Sequence, residues 1–133
     1  MNGYHDDIEQ QTIGNDDFRR VLYTGKTLQL VLMTLQPDEE IGSEVHEDRD
    51  QFFRFEEGQG KVHIDDNIYD VIDGSGVVVP AGSRHNVRNT GDVPLKLYTL
   101  YGPPEHLDGI TQATKAAADA RHADEEWDGK TTE

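Results

Sequence analysis

The sequence predicts an all-β domain that folds as a sandwich or a barrel. Short runs of apolar, β-branched and aromatic residues recur between about residues 19 and 102, and Gly, Asp, Asn or Pro separates one run from the next. No stretch between two runs is long enough for the crossover helix that a parallel sheet needs, so antiparallel strands are expected. With 133 residues, the chain is expected to form a single domain with one core.

The predicted strands follow one another through a barrel core of about residues 19–102. The first ends at Gly25, and the second, residues 28–35, is a long apolar run that Pro37 stops. The others are short and cover residues 44–46, 51–55, 61–64, 68–72, 77–79, 85–89 and 95–101. A short helix is predicted over about residues 111–127, within a C-terminal tail of residues 105–133. Residues 1–17 and 128–133 are expected to be poorly ordered unless they pair with a partner strand.

The composition excludes several kinds of function. The chain has no cysteine, which rules out disulfides, thiolate metal ligands and thiol catalysis. The formal net charge is −15, with 27 acidic and 12 basic residues, and this opposes binding to nucleic acid or anionic membranes. We expect a soluble cytoplasmic protein, because there is no apolar run of membrane-spanning length and no signal pattern. Two interpretations of the acidity stay open: an ordinary acidic surface, or adaptation to a high-salt cytoplasm that screens self-repulsion.

Four side chains near the middle of the chain are candidate metal ligands. Glu44 and His46 are two residues apart, so on a strand they point to the same face. Gln51 begins the next predicted strand, and His85 begins a later one after a Pro-Ala-Gly turn. If two hairpins face each other across a barrel, these four groups meet. Two imidazoles, one carboxylate and one amide oxygen suit a single divalent ion such as Zn, Fe, Mn, Ni or Co.

A site with this ligand set would carry a charge of about +1, which favours an anionic or polarisable oxygen substrate. Taken singly, either histidine is more often a solvated or hydrogen-bonded side chain than a ligand. The joint spacing of the four residues is what favours a metal site.

The second half of this pattern resembles a motif of the cupin superfamily, G(X)5PXG(X)2H(X)3N. It is matched in full by Gly74, Pro80, Gly82, His85 and Asn89.

The first half resembles the other cupin motif, G(X)5HXH(X)3–4E(X)6G. It is matched at His46 and Gly58. Glu44 stands in place of the first histidine of the motif and Gln51 in place of its glutamate, and the leading glycine falls four residues late, at Gly42.

The resemblance covers about residues 25–102 and implies a double-stranded β-helix, the cupin jelly-roll barrel, with a metal in its mouth. Its ligands would be Glu44, His46, Gln51 and His85. The wider pattern also resembles small cupins labelled mannose-6-phosphate isomerase-like, which implies a sugar-like substrate. Cupin oxygenases usually keep three histidines, so the two departures favour Lewis-acid reactions such as isomerisation, hydrolysis or tautomerisation over oxygen chemistry.

Other residues have a functional and a structural interpretation. Tyr101 ends the last strand and is a candidate general acid, with packing on Pro103 at the barrel edge as the alternative. Arg84 is a candidate to bind a substrate anion, with a surface role beside acidic residues as the alternative. Gln29 and Met33 share one strand face and either line the pocket or pack in the core.

The sequence thus predicts a metal-dependent enzyme that acts on a small molecule. A non-catalytic cupin that senses or stores a metal or small molecule is the alternative, and a barrel with a decayed site is the third possibility. A homodimer is expected, because open sheets have edges to cover.

Overall fold

The computed structural model describes all residues from Met1 to Glu133 and consists mainly of antiparallel strands. The strands in chain order are β1 (Arg19–Thr24), β2 (Gln29–Leu35), β3 (Glu44–Val45), β4 (Asp50–Glu57), β5 (Gln59–Ile64), β6 (Asn67–Ile72), β7 (Gly76–Val79), β8 (Arg84–Asn89), β9 (Leu95–Gly102) and β10 (Thr111–Gln112). The helices are α1 (Ile8–Ile13) and α2 (Lys115–Ala120), followed by a 3-10 turn at Ala123–Glu125.

The strands form two sheets that enclose a common core. The larger sheet has the order β10-β1-β2-β9-β4-β7, and the smaller one has the order β3-β8-β5-β6. This is the predicted all-β, double-stranded β-helix, and the short C-terminal helix is present as α2. None of the helices has the length and apolar character that crossing a membrane requires.

The interior of the barrel is apolar at one end and polar at the other. Met33 and Leu97 lie opposite each other on β2 and β9, and both are fully buried. On the same face, Gln29, Tyr101 and Gln51 form a row across β2, β9 and β4. This polar row lies four residues from Met33 along β2 and from Leu97 along β9, which is roughly 13 Å along the strands. The apolar end holds the barrel together, and the polar end carries the candidate site.

The apolar end consists of residues that are withdrawn from water. Phe53 and Phe55 stack with ring centroids 6.3 Å apart, and neither is more than 1% exposed. Each side chain of this kind stabilises the fold by roughly 1.5–3 kcal/mol through leaving water. The other buried members of this cluster include Val31, Met33, Leu35, Val62, Val87, Leu95 and Leu97.

Gly58 makes the tight connection from β4 to β5 possible. Its φ is +89°, and an added Cβ would lie 2.7 Å from the carbonyl oxygen of Pro94. No other residue fits here without moving the backbone.

The N-terminal segment differs from the prediction of poor order. Residues Ile8–Ile13 form α1, and the Asp7 side chain caps it by accepting a hydrogen bond from the Gln10 N–H at 3.1 Å. The helix packs on β2, β4 and β9 and buries Thr12 completely. A helix of six residues is too short for the sequence pattern to reveal, because its stability comes from this packing.

The C-terminal tail is less helical than predicted. Thr111 and Gln112 pair with β1, and Thr114 then caps α2 by accepting a hydrogen bond from the Ala117 N–H at 3.1 Å. The predicted single helix is therefore divided into a strand, a six-residue helix and a 3-10 turn. The end of the chain is also held, because the Thr132 N–H donates to the Thr24 carbonyl oxygen at 2.9 Å.

Candidate metal centre

The structure brings three of the four predicted ligands together at the polar end of the barrel. Ligand atoms of Glu44, His46 and His85 all lie within 4.8 Å of one another. Glu44 lies directly opposite His85 in the pairing of β3 with β8, and the rings of His46 and His85 have centroids 5.2 Å apart. Strand pairing thus joins two parts of the chain that are some forty residues apart.

The Pro-Ala-Gly turn fixes the position of His85 relative to His46. Gly82 has φ = +86°, in the left-handed region that favours glycine. Its N–H donates to the carbonyl oxygen of His46 at 2.8 Å, and the neighbouring Ala81 N–H donates to the Asp50 carboxylate at 2.8 Å. The turn is therefore tied to the end of β3, and β8 starts with the His85 ring directed into the barrel.

Both histidines present a nitrogen to the cluster. The Nδ1 of His85 lies 3.1 Å from the Ser83 carbonyl oxygen, so this nitrogen carries the proton and Nε2 keeps a free lone pair. The Nε2 of His46 lies 3.0 Å from a Glu44 carboxylate oxygen. This carboxylate raises the pKa of His46, and no other group is hydrogen-bonded to this buried nitrogen. An imidazole nitrogen and a carboxylate oxygen at this distance can share either a proton or a metal ion.

Gln51 offers an oxygen from the adjacent row. The side chain is 3% exposed, and its Nε2 donates to the Thr99 hydroxyl at 3.0 Å. This hydrogen bond fixes the amide so that Oε1 is the free atom, and Oε1 is buried without a partner. Gln51 lies opposite Tyr101, whose ring centroid is 6.0 Å from that of His46.

Neighbouring charges set the protonation of the cluster. Burial alone would raise the pKa of Glu44, but His46, Arg19 and His85 outweigh it and lower the pKa. Burial would lower the pKa of His46, but Glu44 and Glu105 outweigh it and raise the pKa. Burial lowers the pKa of His85, and the charge of His46 lowers it further. Glu44 is therefore ionised and His85 neutral near neutral pH, which are the forms that bind metal ions, whereas the raised pKa of His46 favours a proton that a bound metal ion would displace.

Glu105 is a functional candidate that the sequence did not reveal. Its carboxylate lies 3.6 Å from Nδ1 of His46, on the side of the ring away from Glu44. The same carboxylate pairs with Arg49, whose Nε lies 3.2 Å from Asp48. A carboxylate behind a metal-binding imidazole orients the ring and raises its basicity.

Gln29 holds Glu105 in place. Its Oε1 accepts hydrogen bonds from the N–H groups of Glu105 at 3.1 Å and His106 at 3.0 Å. Its Nε2 donates to the His106 carbonyl oxygen at 2.7 Å and to the Thr24 hydroxyl at 2.9 Å. A polar residue at the start of an otherwise apolar strand was the one signal in the sequence for this role.

Tyr101 lies inside the barrel rather than at its edge. It is 1% exposed, and its hydroxyl is 3.3 Å from Nε2 of His106. Burial raises the pKa of Tyr101 far above its ordinary value. The hydroxyl therefore keeps its proton at every physiological pH.

Arg84 lies on the outer side of β8, whereas His85 points inward. It is exposed, and its guanidinium donates to the Ser43 hydroxyl at 3.4 Å. A cleft of about 370 Å³ at this surface is lined by Arg84, His63 and Arg88, and also by His85 of the cluster. This placement agrees with the surface role that was the alternative for Arg84.

A family model described as a cupin domain matches residues 31–101, and this range contains all four predicted ligands. The chain belongs to the cupin family.

Relatives of this cupin are known from sequence and structure. Uncharacterized protein YrkC of Bacillus subtilis is 47% identical over 120 residues, which is 84% of this cupin and 63% of the Bacillus protein. A crystal structure from Bacillus halodurans is 45% identical with a TM-score of 0.88, and the match covers 90% of this cupin and 95% of that chain.

A cupin from Silicibacter pomeroyi, described as a sugar phosphate isomerase, is more distant. It is 21% identical with a TM-score of 0.57, over 68% of this cupin and 62% of that chain. At this identity the likeness shows the fold alone.

Proposed function

We propose that this cupin is a metal-dependent enzyme acting on a small, oxygen-rich or sugar-like molecule. One divalent ion, Zn, Fe, Mn, Ni or Co, would be held by Glu44, His46, Gln51 and His85. The observation that carries the proposal is the convergence of three ligand groups within 4.8 Å, around a buried histidine nitrogen that lies 3.0 Å from the Glu44 carboxylate.

The donor set fits such an ion. Two imidazole nitrogens and two oxygens, without sulfur, suit borderline to hard divalent metals. The buried, unpaired oxygen of Gln51 is a second atom that a cation would satisfy. When bound, the ion would act as a Lewis acid that polarises a substrate oxygen.

The surrounding side chains have complementary roles in this proposal. Glu44 is the most open group of the cluster, with 27% of its side chain exposed, and it would face the incoming substrate. Tyr101 would donate a proton from its hydroxyl, since that proton is retained at neutral pH. Phe53 has its ring centroid 6.4 Å from that of His85 and gives the site an apolar wall that excludes water. These roles suit isomerisation, hydrolysis or tautomerisation.

One observation favours a second candidate function, a non-catalytic cupin that binds a metal or small molecule as a sensor or store. The cluster has little free space around it, because the side chain of His46 is only 12% exposed. The two largest clefts, each of about 420 Å³, lie between β6 and β7 and over an apolar patch that includes Leu30 and Leu100.

A screen of the metal-loaded protein against sugar phosphates, uronates and keto acids separates the two functions. Turnover that disappears in His85→Ala supports the enzyme. Binding of any of these compounds without turnover supports the sensor, and equal turnover in wild type and His85→Ala contradicts the proposed site.

The homodimer also stays a proposal, and the outer face of the larger sheet supports it. Leu30, Leu100, Phe52 and Val78 form an uncharged row across β2, β9, β4 and β7, and Val78 is 65% exposed. Two copies with a net charge of −15 repel each other, so an uncharged face is where they would meet. Light scattering of the wild type should give the mass of a dimer, and Leu100→Glu should give that of a monomer. A monomeric wild type would contradict the proposal.

A further inference from the structure

Arg19 is a buried cation without a carboxylate partner. Of the chain's 12 lysines and arginines, two are buried: Lys96, which is 7% exposed, and Arg19, which is 5% exposed. The Nζ of Lys96 lies 3.2 Å from the Asp16 carboxylate. No carboxylate oxygen lies within 4.0 Å of the Arg19 guanidinium, although the chain has 27 acidic residues.

Most of the hydrogen-bonding capacity of Arg19 is unused. Its Nη1 donates to the side-chain oxygen of Gln112 at 2.7 Å, and Gln112 is itself fixed by donating to Glu125 at 3.0 Å. The Nε of Arg19 is buried and has no partner. A buried charge in this state is costly unless a counter-charge arrives. The Phe18 ring, 5.2 Å from the Arg19 Cζ, and the more distant Glu44 are the groups that its charge meets. No carboxylate contacts the guanidinium directly, so an external anion is the group that would complete the site.

The side chain of Arg19 projects into the barrel from the level of Met33, and its charge acts on groups of the polar end. Arg19 pairs with Met33 of β2, whose side chain is in the core, so both project from the interior face of the larger sheet. Burial and the charge of Arg19 together lower the pKa of His106. Burial raises the pKa of Tyr101, and the charge of Arg19 opposes that rise. Arg19 therefore faces the same interior space as Tyr101 and His106.

The cleft that reaches the site, about 370 Å³ and lined by His85 together with Arg84 and Arg88, lies at the surface of β8, so the interior beside Arg19 admits only a small anion. A planar guanidinium with free N–H groups matches a carboxylate in a two-point interaction. A carboxylate is also small enough to enter a region where His46 is only 12% exposed. These features favour a small carboxylic acid over a bulky sugar phosphate.

We propose that Arg19 binds the carboxylate of the substrate, and that the substrate is a small oxygenated acid of the 2-hydroxy or 2-keto type. The second oxygen of this acid would lie at the cluster of Glu44, His46 and His85. This assignment rests on the proposed metal-dependent function and specifies its substrate class.

The alternative role for Arg19 is structural, because its hydrogen bond to Gln112 joins β1 to the C-terminal tail. The two roles predict different results. A structural arginine affects thermal stability alone, whereas a binding arginine affects the affinity for anions as well.

The test is a titration of glycolate into the Zn²⁺-loaded protein, followed by calorimetry and by the shift in Tm. Arg19→Gln should raise the Kd for glycolate by at least about tenfold, the effect of losing a charge-assisted hydrogen bond. Arg20→Gln is the matched control, since Arg20 is the exposed neighbour on the same strand and the charge change is equal. Its Kd should stay within about twofold of wild type. Arg19→Lys keeps the charge and the fold, and it should give an intermediate Kd because it lacks the planar fork.

Three results would overturn the assignment. The first is that Arg19→Gln and Arg19→Lys bind glycolate with the same Kd as the wild type. The second is that the wild type does not bind glycolate. The third is that the wild type binds inorganic phosphate as tightly as glycolate. Metal content, measured on the same samples, tests the proposed function separately. If the wild type holds no metal, the same titration of the metal-free protein still decides whether Arg19 binds carboxylates.

Discussion

Gln29 links the barrel wall to the segment that carries Glu105, and replacing it with leucine tests that link. Gln29→Leu keeps the volume but removes both polar atoms. Three backbone groups then lose their partner: the N–H groups of Glu105 and His106 and the carbonyl of His106. A buried polar group left without a partner costs about 1–3 kcal/mol.

The new leucine buries more apolar surface than glutamine does, and this stabilises the fold by about 1–2 kcal/mol, which offsets part of the loss. We therefore expect the free energy of unfolding to fall by about 3 kcal/mol, a large part of the roughly 5–15 kcal/mol that a domain has. Urea unfolding followed by Trp127 fluorescence is the assay, because the backbone N–H of Trp127 donates to the Glu105 carbonyl oxygen at 2.9 Å. Gln36→Leu, at an exposed position, is the control and should change the stability by less than about 0.5 kcal/mol. A loss below about 1 kcal/mol in Gln29→Leu would refute the link.

Three further changes probe the site. Gln51→Glu adds a second carboxylate to the cluster, so calorimetry should show Zn²⁺ binding that is tighter by about tenfold or more. The same change should lower the Tm of the metal-free protein, because it buries a charge. Gln59→Glu, on the exposed side of β5, is the control and should change neither quantity. Gly82→Ala forces a side chain into φ = +86°, so it should lose about 1–2 kcal/mol of stability and part of its bound metal, and unchanged metal content would count against the role of this turn. Glu105→Gln removes the carboxylate behind His46, so the affinity for Zn²⁺ should fall by about 10–100-fold, and an unaltered affinity would mean that Glu105 serves only Arg49.

The strands and the shared face of Glu44 and His46 could be predicted because their signals are local. The meeting of these residues with His85 was expected from the joint spacing and from hairpins facing each other across the barrel, whereas β3 and β8 are neighbours in one sheet. Turn residues mark the ends of each strand, and two-residue alternation places Glu44 and His46 on one face. The positive φ of Gly82 follows from the same local reasoning.

The contacts made by Gln29, Arg19 and Glu105 could not be predicted, because they depend on how the closed barrel brings distant segments together. Gln29 bonds to residues 76 and 77 positions away along the chain, and Arg19 bonds to Gln112, 93 positions away. No short-range pattern encodes such distances. For Arg84 a local signal was available but was not applied. Strand alternation places it on the outer face when His85 points inward, yet its position next to His85 made it a candidate for binding a substrate anion.

The metal content of the purified protein is the most direct measurement of the central claim. We expect one divalent ion per chain in the wild type, retained through gel filtration, and a loss of that ion in both His46→Ala and His85→Ala. Circular dichroism should show that both variants keep the β-sheet signal, so that the loss reports on the ligands. If the wild type contains no metal and takes up none of Zn²⁺, Fe²⁺, Mn²⁺, Ni²⁺ or Co²⁺ on incubation, the cluster of Glu44, His46, Gln51 and His85 is not a metal site.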